Sequence, residues 1–573
     1  MVQTLMNALV ISLKQTNFHM RTSHTTKGLK VNVVAGTYVV VLGINLTESK
    51  CNGLLGFSIH RVDHTENEAY YLEGMKAFAL TDPGFPSGSL YSTRDHPIQS
   101  FQWADYSAKP GYHYTYTIAA LKGTPDHLTE FAKTSVEVTT EKPETATGNH
   151  NIYFNRGTAA SQEYVRRFGD KIPDMVPNNQ AYDWLSRGLY EAMKDFITSC
   201  QPGIHSLRIA AYEFNYEPFL QLINTASVSG VDIQIVFDER GDKPGKINRQ
   251  LIDNNGLHDI CTGRVKGKSY IAHNKFIVKL ENGQPKSLWT GGTNFSDGGI
   301  FGHSNVAHVV EVPAIAALYL AYWEELAQDP TNATLRNEVE QITSIPPIPV
   351  PVNTSVLFSP RHGLDALNFY GQLAMTAKHG LFMTFAFGLH QIFKDVYKNS
   401  TAPFRLALLE KTTRPMEDGP EKELEEKAIQ ILRNLPENVF AVGDFIATNE
   451  FDGWVKEKLT GLNSNVRYVH NKFMLIDPMS NDPIVVAGSA NFSEASTEDN
   501  DENMIIVRGN KRVADIYLGE FMRLFTHHSF RESLKWRRPD EPPKPLRTDD
   551  WWKDSFGNTP RSSRRKYFAK VSV

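Results

Sequence analysis

The chain has 573 residues, 41% hydrophobic and 22% charged, with a formal net charge of −4 and a pI near 6.6. That length exceeds a single hydrophobic core, so several domains are expected, and the mild acidity excludes a globally basic polyanion binder while leaving room for a local basic cleft. No run reaches the ~18 apolar residues of a membrane span. The three cysteines, Cys51, Cys200 and Cys261, show neither metal-ligand spacing nor a disulfide framework, which points to a reducing, cytoplasmic setting with secretion left open.

The opening "MVQTLMNALVISLKQTNF" lacks a basic n-region and a small-residue cleavage site, so it reads as a strand or frayed end. Residues 1–145 read as all-β. "GTYVVVLGINL", "GLLGFSIHRVD" and "GYHYTYTIAALKG" are β-branched and aromatic runs separated by Gly, Pro, Asp and Asn. The pattern is that of a fibronectin-like or immunoglobulin-like sandwich. "TTEKPETATGNHN" reads as a linker. Beyond it, "QAYDWLSRGLYEAMKDFITSC" has helical periodicity, and "SLRIAAYEF", "EPFLQLINTASVSG" and "VDIQIVFDE" follow as strand, helix and strand. The order returns in "GLFMTFAFGL", "HQIFKDVYKNS" and "PFRLALLEK", after the Pro-rich joint "SIPPIPVPVNTS". The expected division is therefore 1–145, 146–345, 346–540 and a tail 541–573 packed on the second half.

"HNKF" occurs at His273 and again at His470, 197 positions on. The same offset takes Lys275 to Lys472, Asn294 to Asn491, "GGTNFSD" onto "GSANFSE", and Asn305 to Glu502. In His-x-Lys on a strand, the period of two puts both side chains on one face. Two such units packed together would pool two imidazoles, two ammonium groups and two amides. The cations and amides suit the non-bridging oxygens of a phosphate. One imidazole can attack phosphorus while the other protonates the leaving oxygen. This scheme needs no metal and no cofactor, and the sequence shows no Asp/Glu cluster for a metal. Ser296 and Ser493, two residues after each Asn, read as phosphate contacts or turn caps. His303 and His308 read as packing or rim groups, and Trp289 and the Trp551–Trp552 pair as core or lid residues, with lining of the substrate channel as the alternative.

"HNKFMLID" with "GSANFSE" and "NDEN" resembles the HxKxxxxD region of the phospholipase D superfamily, matching at His470, Lys472, Asp477, Gly488, Ser489, Asn491 and Glu502. The first copy matches at His273, Lys275, Gly291 and Asn294 and departs at Leu280, where the motif has Asp. The resemblance implies an α/β fold of two duplicated α/β/α halves about a pseudo-two-fold, preceded here by the β-sandwich. It also implies metal-independent phosphodiester cleavage through a phosphohistidine, with Asp477 as a structural acceptor. Tyrosyl-DNA phosphodiesterases also lack the motif Asp. Similarity to them implies an amide behind the nucleophilic His and a carboxylate behind the proton donor. Asn305 and Glu502 hold those offsets, and a carboxylate on a ring N–H favours imidazolium. The expectation is thus His273 as nucleophile and His470 as general acid oriented by Glu502.

The favoured partner is nucleic acid, which needs a local basic groove; the short loops around both motifs resemble those of bacterial Nuc-type endonuclease relatives. A phospholipase D that hydrolyses or transfers phosphatidyl groups is the second reading. An inactive phosphate- or polyanion-binding protein is the third. Sequence leaves the oligomeric state open.

Overall fold

The computed structural model describes residues 20–571 apart from 83–88, 146–147, 158–161, 170, 267–269, 414–416, 444–467 and 536–543. The opening segment read as a strand or frayed end lies outside the described residues.

The N-terminal part holds two four-stranded antiparallel sheets. One contains Arg21–Thr26, Leu29–Ala35, Val40–Leu46 and Gln102–Asp105; the other contains His127–Thr139, His113–Thr124, Gly56–Asp63 and Glu68–Tyr71. Along His113–Thr124, Tyr114, Tyr116 and Ile118 are buried while His113, Thr115 and Thr117 stay half-buried, the alternation of a strand covered on one face. Val31, Val33, Phe57, Ile59, Tyr116 and Ile118 share one core with Trp551, Trp552 and Phe556 of the tail. Trp551 Nε1 donates to Leu54 O at 2.7 Å. Helix Pro560–Phe568 presses so close to Gly43 that a Cβ there would lie 2.1 Å from the Phe568 carbonyl. The tail was expected on the second half, but it sits mainly on these sheets. Tyr567 and Phe568 reach the second half, against Phe382 and Phe404.

The remainder is mixed α/β with two seven-stranded mixed sheets, whose strands are numbered here. The first has β1 (His150–Phe154), β2 (His205–Ala211), β3 (Asp232–Asp238), β4 (Cys261–Arg264), β5 (Lys275–Glu281), β6 (Gln284–Gly291) and β7 (Val306–Val310), in the order β1-β7-β6-β5-β2-β3-β4. The second has β8 (Asn353–Ser359), β9 (Leu381–Phe385), β10 (Arg405–Leu409), β11 (Asn438–Val442), β12 (Phe473–Ile476), β13 (Ile484–Gly488) and β14 (Glu502–Arg508), in the order β8-β14-β13-β12-β9-β10-β11. Each strand of the second sheet holds the place of the strand seven earlier. In each sheet the first crossover carries a helix, α1 (Glu217–Val228) between β2 and β3 and α3 (Gln391–Asn399) between β9 and β10, and joins parallel strands. The stretch expected as one helix over 180–200 is two, Gln180–Ser186 and Leu189–Thr198, broken where Arg187 and Gly188 take positive φ of 51° and 90°.

The helices after β7 and β14, α2 (Pro313–Ala327) and α4 (Lys511–Lys535), lie between the sheets. Tyr319, Tyr322 and Trp323 of α2 and Tyr517, Phe521 and Phe525 of α4 form a common core with Phe276 and Val278 of β5 and Phe473 and Leu475 of β12. Separate apolar clusters lie under the outer helices of each half. Leu280 joins the shared core as β5 runs on to Glu281. At the equivalent place Asp477 accepts from the backbone N–H groups of Lys378, His379 and Gly380 at 2.9, 2.7 and 2.8 Å. One copy thus ends its strand with a carboxylate and the other with a buried aliphatic group. No described helix is long and apolar enough to cross a membrane.

Fully buried Arg264 ties the halves together. Its Nε donates to Asp501 at 3.1 Å and its Nη1 to Asp329 at 2.9 Å. Burial pushes the Asp501 carboxyl up to about 6, against the pull of Arg264. Arg264→Met is expected to cost about 3–5 kcal/mol at pH 7.5, because two buried carboxylates lose their guanidinium. The loss should shrink toward pH 5, as Asp501 takes up a proton. Urea unfolding at both pH values reads this.

Candidate active site

Each His-x-Lys unit stands at the entrance of the central antiparallel strand of its sheet. Lys275 opens β5, and Lys472 immediately precedes β12. A carboxylate grips the chain just before each His. Asp238, at the end of β3, accepts from Ala272 N at 2.8 Å, and Glu410, one residue past β10, accepts from Val469 N at 2.8 Å. The next turn needs glycine on steric grounds: a Cβ on Gly291 would lie 2.3 Å from Val306 O, and one on Gly488 would lie 2.1 Å from Asn503 O. That close approach brings Asn294 and Asn491 back toward the strand ends.

The halves meet through paired contacts. Asp501 N donates to Ile271 O at 3.0 Å, and Ser304 N donates to Tyr468 O at 2.8 Å. The 197-residue offset converts one contact into the other. Beside them, His273 Nδ1 lies 3.0 and 2.9 Å from the two carboxylate oxygens of Glu502, and His470 Nδ1 lies 3.0 Å from Asn305 Oδ1. The expectation that Glu502 orients His470 is therefore overturned. Glu502 opens β14 directly after Asp501, which is bridged to Ala272, so its carboxylate faces the His of the other half. By the same geometry Asn305, next to Ser304, reaches His470. Both rings donate Nδ1–H, which leaves each Nε2 free for chemistry.

The Asn305 amide is fixed in turn. Its Nδ2 donates to Gly299 O at 2.7 Å and lies 3.0 Å from His303 Nδ1. Asn155 accepts from Asn305 N at 2.9 Å and donates to the carbonyls of Ile300 and His303 at 2.8 and 2.9 Å. The ring of His303 packs on that of His470 with centroids 4.4 Å apart. Lys275 Nζ donates to His273 O and sits 5.0 Å from the ring centroid of Tyr212, which also meets His273 edge-on at 4.8 Å. Lys472 Nζ donates to His470 O at 2.8 Å. Glu213 accepts from Ser296 Oγ at 2.6 Å. Ser493 caps the short helix Glu494–Glu498. The Oδ1 atoms of Asn294 and Asn491 are buried and have no hydrogen-bond partner among the described residues.

His273, Lys275, His470 and Lys472 are between 1 and 5% exposed, so their charges are costly. Burial drives the Lys275 amine down to about 7, opposed by Glu502, Glu213 and Asp238. Lys472 is driven well down by burial and by the Lys275 charge. Burial holds His273 below the ordinary imidazole range, with Glu502 pulling the other way. His470 is held well below it by burial, then Lys472 and His303. The four groups feel one another across the halves, and an anion would relieve all of them. Among the described residues no group of three His, Cys, Asp or Glu side chains is placed to hold a metal.

The sequence reading passed over Tyr212, Glu213 and the close role of His303. Tyr212 and Glu213 follow β2 at its carboxyl end, where ligands collect in sheets with parallel strands. That position was their available signal. The matching positions after β9 are Ala386 and Phe387, so no repeat drew attention to them. His308 lies inside, bonded to His150 and Tyr517 at 2.9 and 3.1 Å. Trp289 is a core residue.

The sequence family described as "Cardiolipin synthase, PLD-like domain" matches residues 193–327 and 441–525. No curated protein matches the chain. Among solved structures, phosphatidylserine synthase from Haemophilus influenzae Rd KW20 is 10% identical over 60% of this chain and 85% of its own, with a TM-score of 0.42. Nuc from Salmonella typhimurium is 26% identical over 24% of this chain and 87% of its own, with a TM-score of 0.21. The yeast tyrosyl-DNA phosphodiesterase is 12% identical over 56% and 87%, with a TM-score of 0.32. The chain spans 53% of the length of a polyphosphate kinase from Porphyromonas gingivalis, at 10% identity over 65% of this chain and a TM-score of 0.38. The two family-matched segments contain both His-x-Lys units, and in them the chain is similar to the phospholipase D superfamily.

Proposed function

We propose that this protein is a phosphodiesterase acting on nucleic acid through a covalent phosphohistidine on His273. The crossed support puts the carboxylate behind His273 and the amide behind His470, the reverse of the pairing expected for nucleophile and proton donor, so the assignment is carried instead by the carboxylate's fit to the charge that attack creates on a ring. In the first step the His273 Nε2 lone pair attacks phosphorus. The phosphorus–oxygen bond to the leaving group breaks, and His470 Nε2–H protonates that oxygen. In the second step water attacks phosphorus and gives a proton to His470, and the phosphorus–nitrogen bond breaks to restore His273. Attack makes the His273 ring cationic, and the Glu502 carboxylate at Nδ1–H offsets that charge. His470, backed by a neutral amide, releases its proton readily. Lys275, Lys472, Asn294 and Asn491 hold the non-bridging oxygens, with Ser296 and Ser493 ordering the turns beside them. We read residues 1–145 as a fibronectin- or immunoglobulin-type sandwich and 146–345 and 346–540 as halves about a pseudo-two-fold. Three free cysteines support a reducing compartment.

The role split is tested by leaving group. With bis(p-nitrophenyl) phosphate, whose leaving phenolate needs no proton, the first-turnover burst of nitrophenolate in His470→Ala should be slowed less than about tenfold. On a DNA phosphodiester that variant should lose more than about 10²-fold. His273→Ala should abolish both. The opposite pattern would exchange the roles, and full activity in both variants would reject the reading. Faster turnover of phosphatidylcholine vesicles than of single-stranded DNA would move the substrate to phospholipid.

The buried cations set a pH dependence. Lys275 is charged below about 7 and neutral above it in the free protein. kcat/KM should therefore fall as pH rises through that value. A bound phosphate anion favours the ammonium and imidazolium forms, so binding near pH 7.5 should take up protons. Calorimetric titration with an unreactive phosphorothioate diester, in buffers of different ionisation enthalpy, measures the uptake; proton release would contradict the assignment.

A further inference from the structure

One group of cations has no part in the steps above. Arg187 and Glu520 form an ion pair, each 3% exposed, and Arg523 Nε donates to the same carboxylate at 2.8 Å. Arg156 lies against them, its guanidinium 4.5 Å from the Trp184 ring and its Nε donating to Trp184 O at 2.8 Å. Arg564 lies beyond Tyr106, whose hydroxyl is 3.5 Å from Met522 O on α4. Among the described residues neither Arg156 nor Arg564 forms an ion pair, and the buried Arg564 Nε has no hydrogen-bond partner. Arg187, Arg523 and Arg156 thus share the single carboxylate of Glu520, and Arg564 faces the Tyr106 hydroxyl beside them. Burial, then Arg187 and Arg523, push the Arg156 guanidinium down to about 9, a charge lacking its counterion.

The group sits where the N-terminal sheets, the first half, α4 and the C-terminal helix meet. It is wired to the candidate active site, because Arg523 Nη2 donates at 3.3 Å to the carbonyl of Asn155. The side chain of that same Asn155 holds the 300–305 turn that carries Asn305 to His470. Aromatic surface is interleaved with the charges: Trp184 under Arg156, and Tyr106, 38% exposed, near Arg523 and Arg564. Guanidinium groups interleaved with aromatic faces match a single nucleic-acid strand, whose phosphates take forked donors and whose bases stack.

We infer that Arg156, Arg523 and Arg564 form a second anion site that holds a phosphate of a nucleic-acid strand beyond the bond being cleaved. This rests on the phosphodiesterase reading, yet its test does not need turnover. In a His273→Ala background, the binding of a fluorescent single-stranded 20-mer is followed by anisotropy against salt. Adding Arg156→Gln and Arg564→Gln should weaken binding at least tenfold at low salt. It should also lower the slope of log affinity against log salt by about 1.4, the effect of about two lost phosphate contacts. Arg156→Lys with Arg564→Lys, which keeps both charges, should recover most of the binding. In the otherwise unmutated protein, the Gln pair should leave bis(p-nitrophenyl) phosphate turnover within about twofold, since that substrate carries one phosphate.

Unchanged oligonucleotide affinity and slope would overturn the site. So would equal loss of bis(p-nitrophenyl) phosphate turnover, which would mark these arginines as structural. Binding of phosphatidylglycerol vesicles that responds to the pair, without any oligonucleotide response, would assign the cluster to lipid and overturn it too. A wild-type protein that binds the 20-mer in this way but cleaves no diester would reject only the earlier proposal.

Discussion

The crossing of Glu502 to His273 and of Asn305 to His470 is the constraint on which the rest of the structure depends. Neither half supports its own imidazole. A single half would expose a His-x-Lys strand whose ring lacked its orienting acceptor, and whose turn lacked the backbone partner at Ile271 or Tyr468. The interface is therefore part of the site. Its solidity follows from α2 and α4 lying between the sheets and from Arg264 reaching from β4 to Asp501. Fold stability and ring geometry rest on the same surface.

That surface also explains why so much charge is tolerated out of water. Two buried ammonium groups are costly, and here Glu502, Glu213 and Asp238 oppose the cost without neutralising it. The residual imbalance favours a monoanion over water. The halves are alike in backbone but differ in what they contribute. One gives Tyr212, Glu213 and an amide, and the other gives Phe387 and a carboxylate. An approximate symmetry with unequal chemistry gives each imidazole a distinct environment, which suits the two unlike steps proposed above.

The sequence made the duplication legible because spacing survives where composition drifts. His273/His470, Lys275/Lys472 and Asn294/Asn491 keep one offset, and the β-α-β units announced themselves by periodicity. The crossing was not legible, since an offset shows which residues correspond and says nothing of which half each faces. Tyr212 and Glu213 were hidden because only one copy carries them. The break at Arg187–Gly188 fell inside an unbroken helical pattern, because local periodicity does not register a left-handed pair of residues. The tail misled because its composition does not say which part of the chain it covers: Trp551 and Trp552 finish a core begun some five hundred residues earlier.

That last feature bears on how the chain matures. The sheets built from residues 21–139 are made before both α/β halves, yet Trp551, Trp552 and Phe556 join their core only after those halves. While the halves are being made, the N-terminal sheets therefore lack part of their apolar cover. Order of synthesis and order of completion are opposed: a module made before the halves is completed after them.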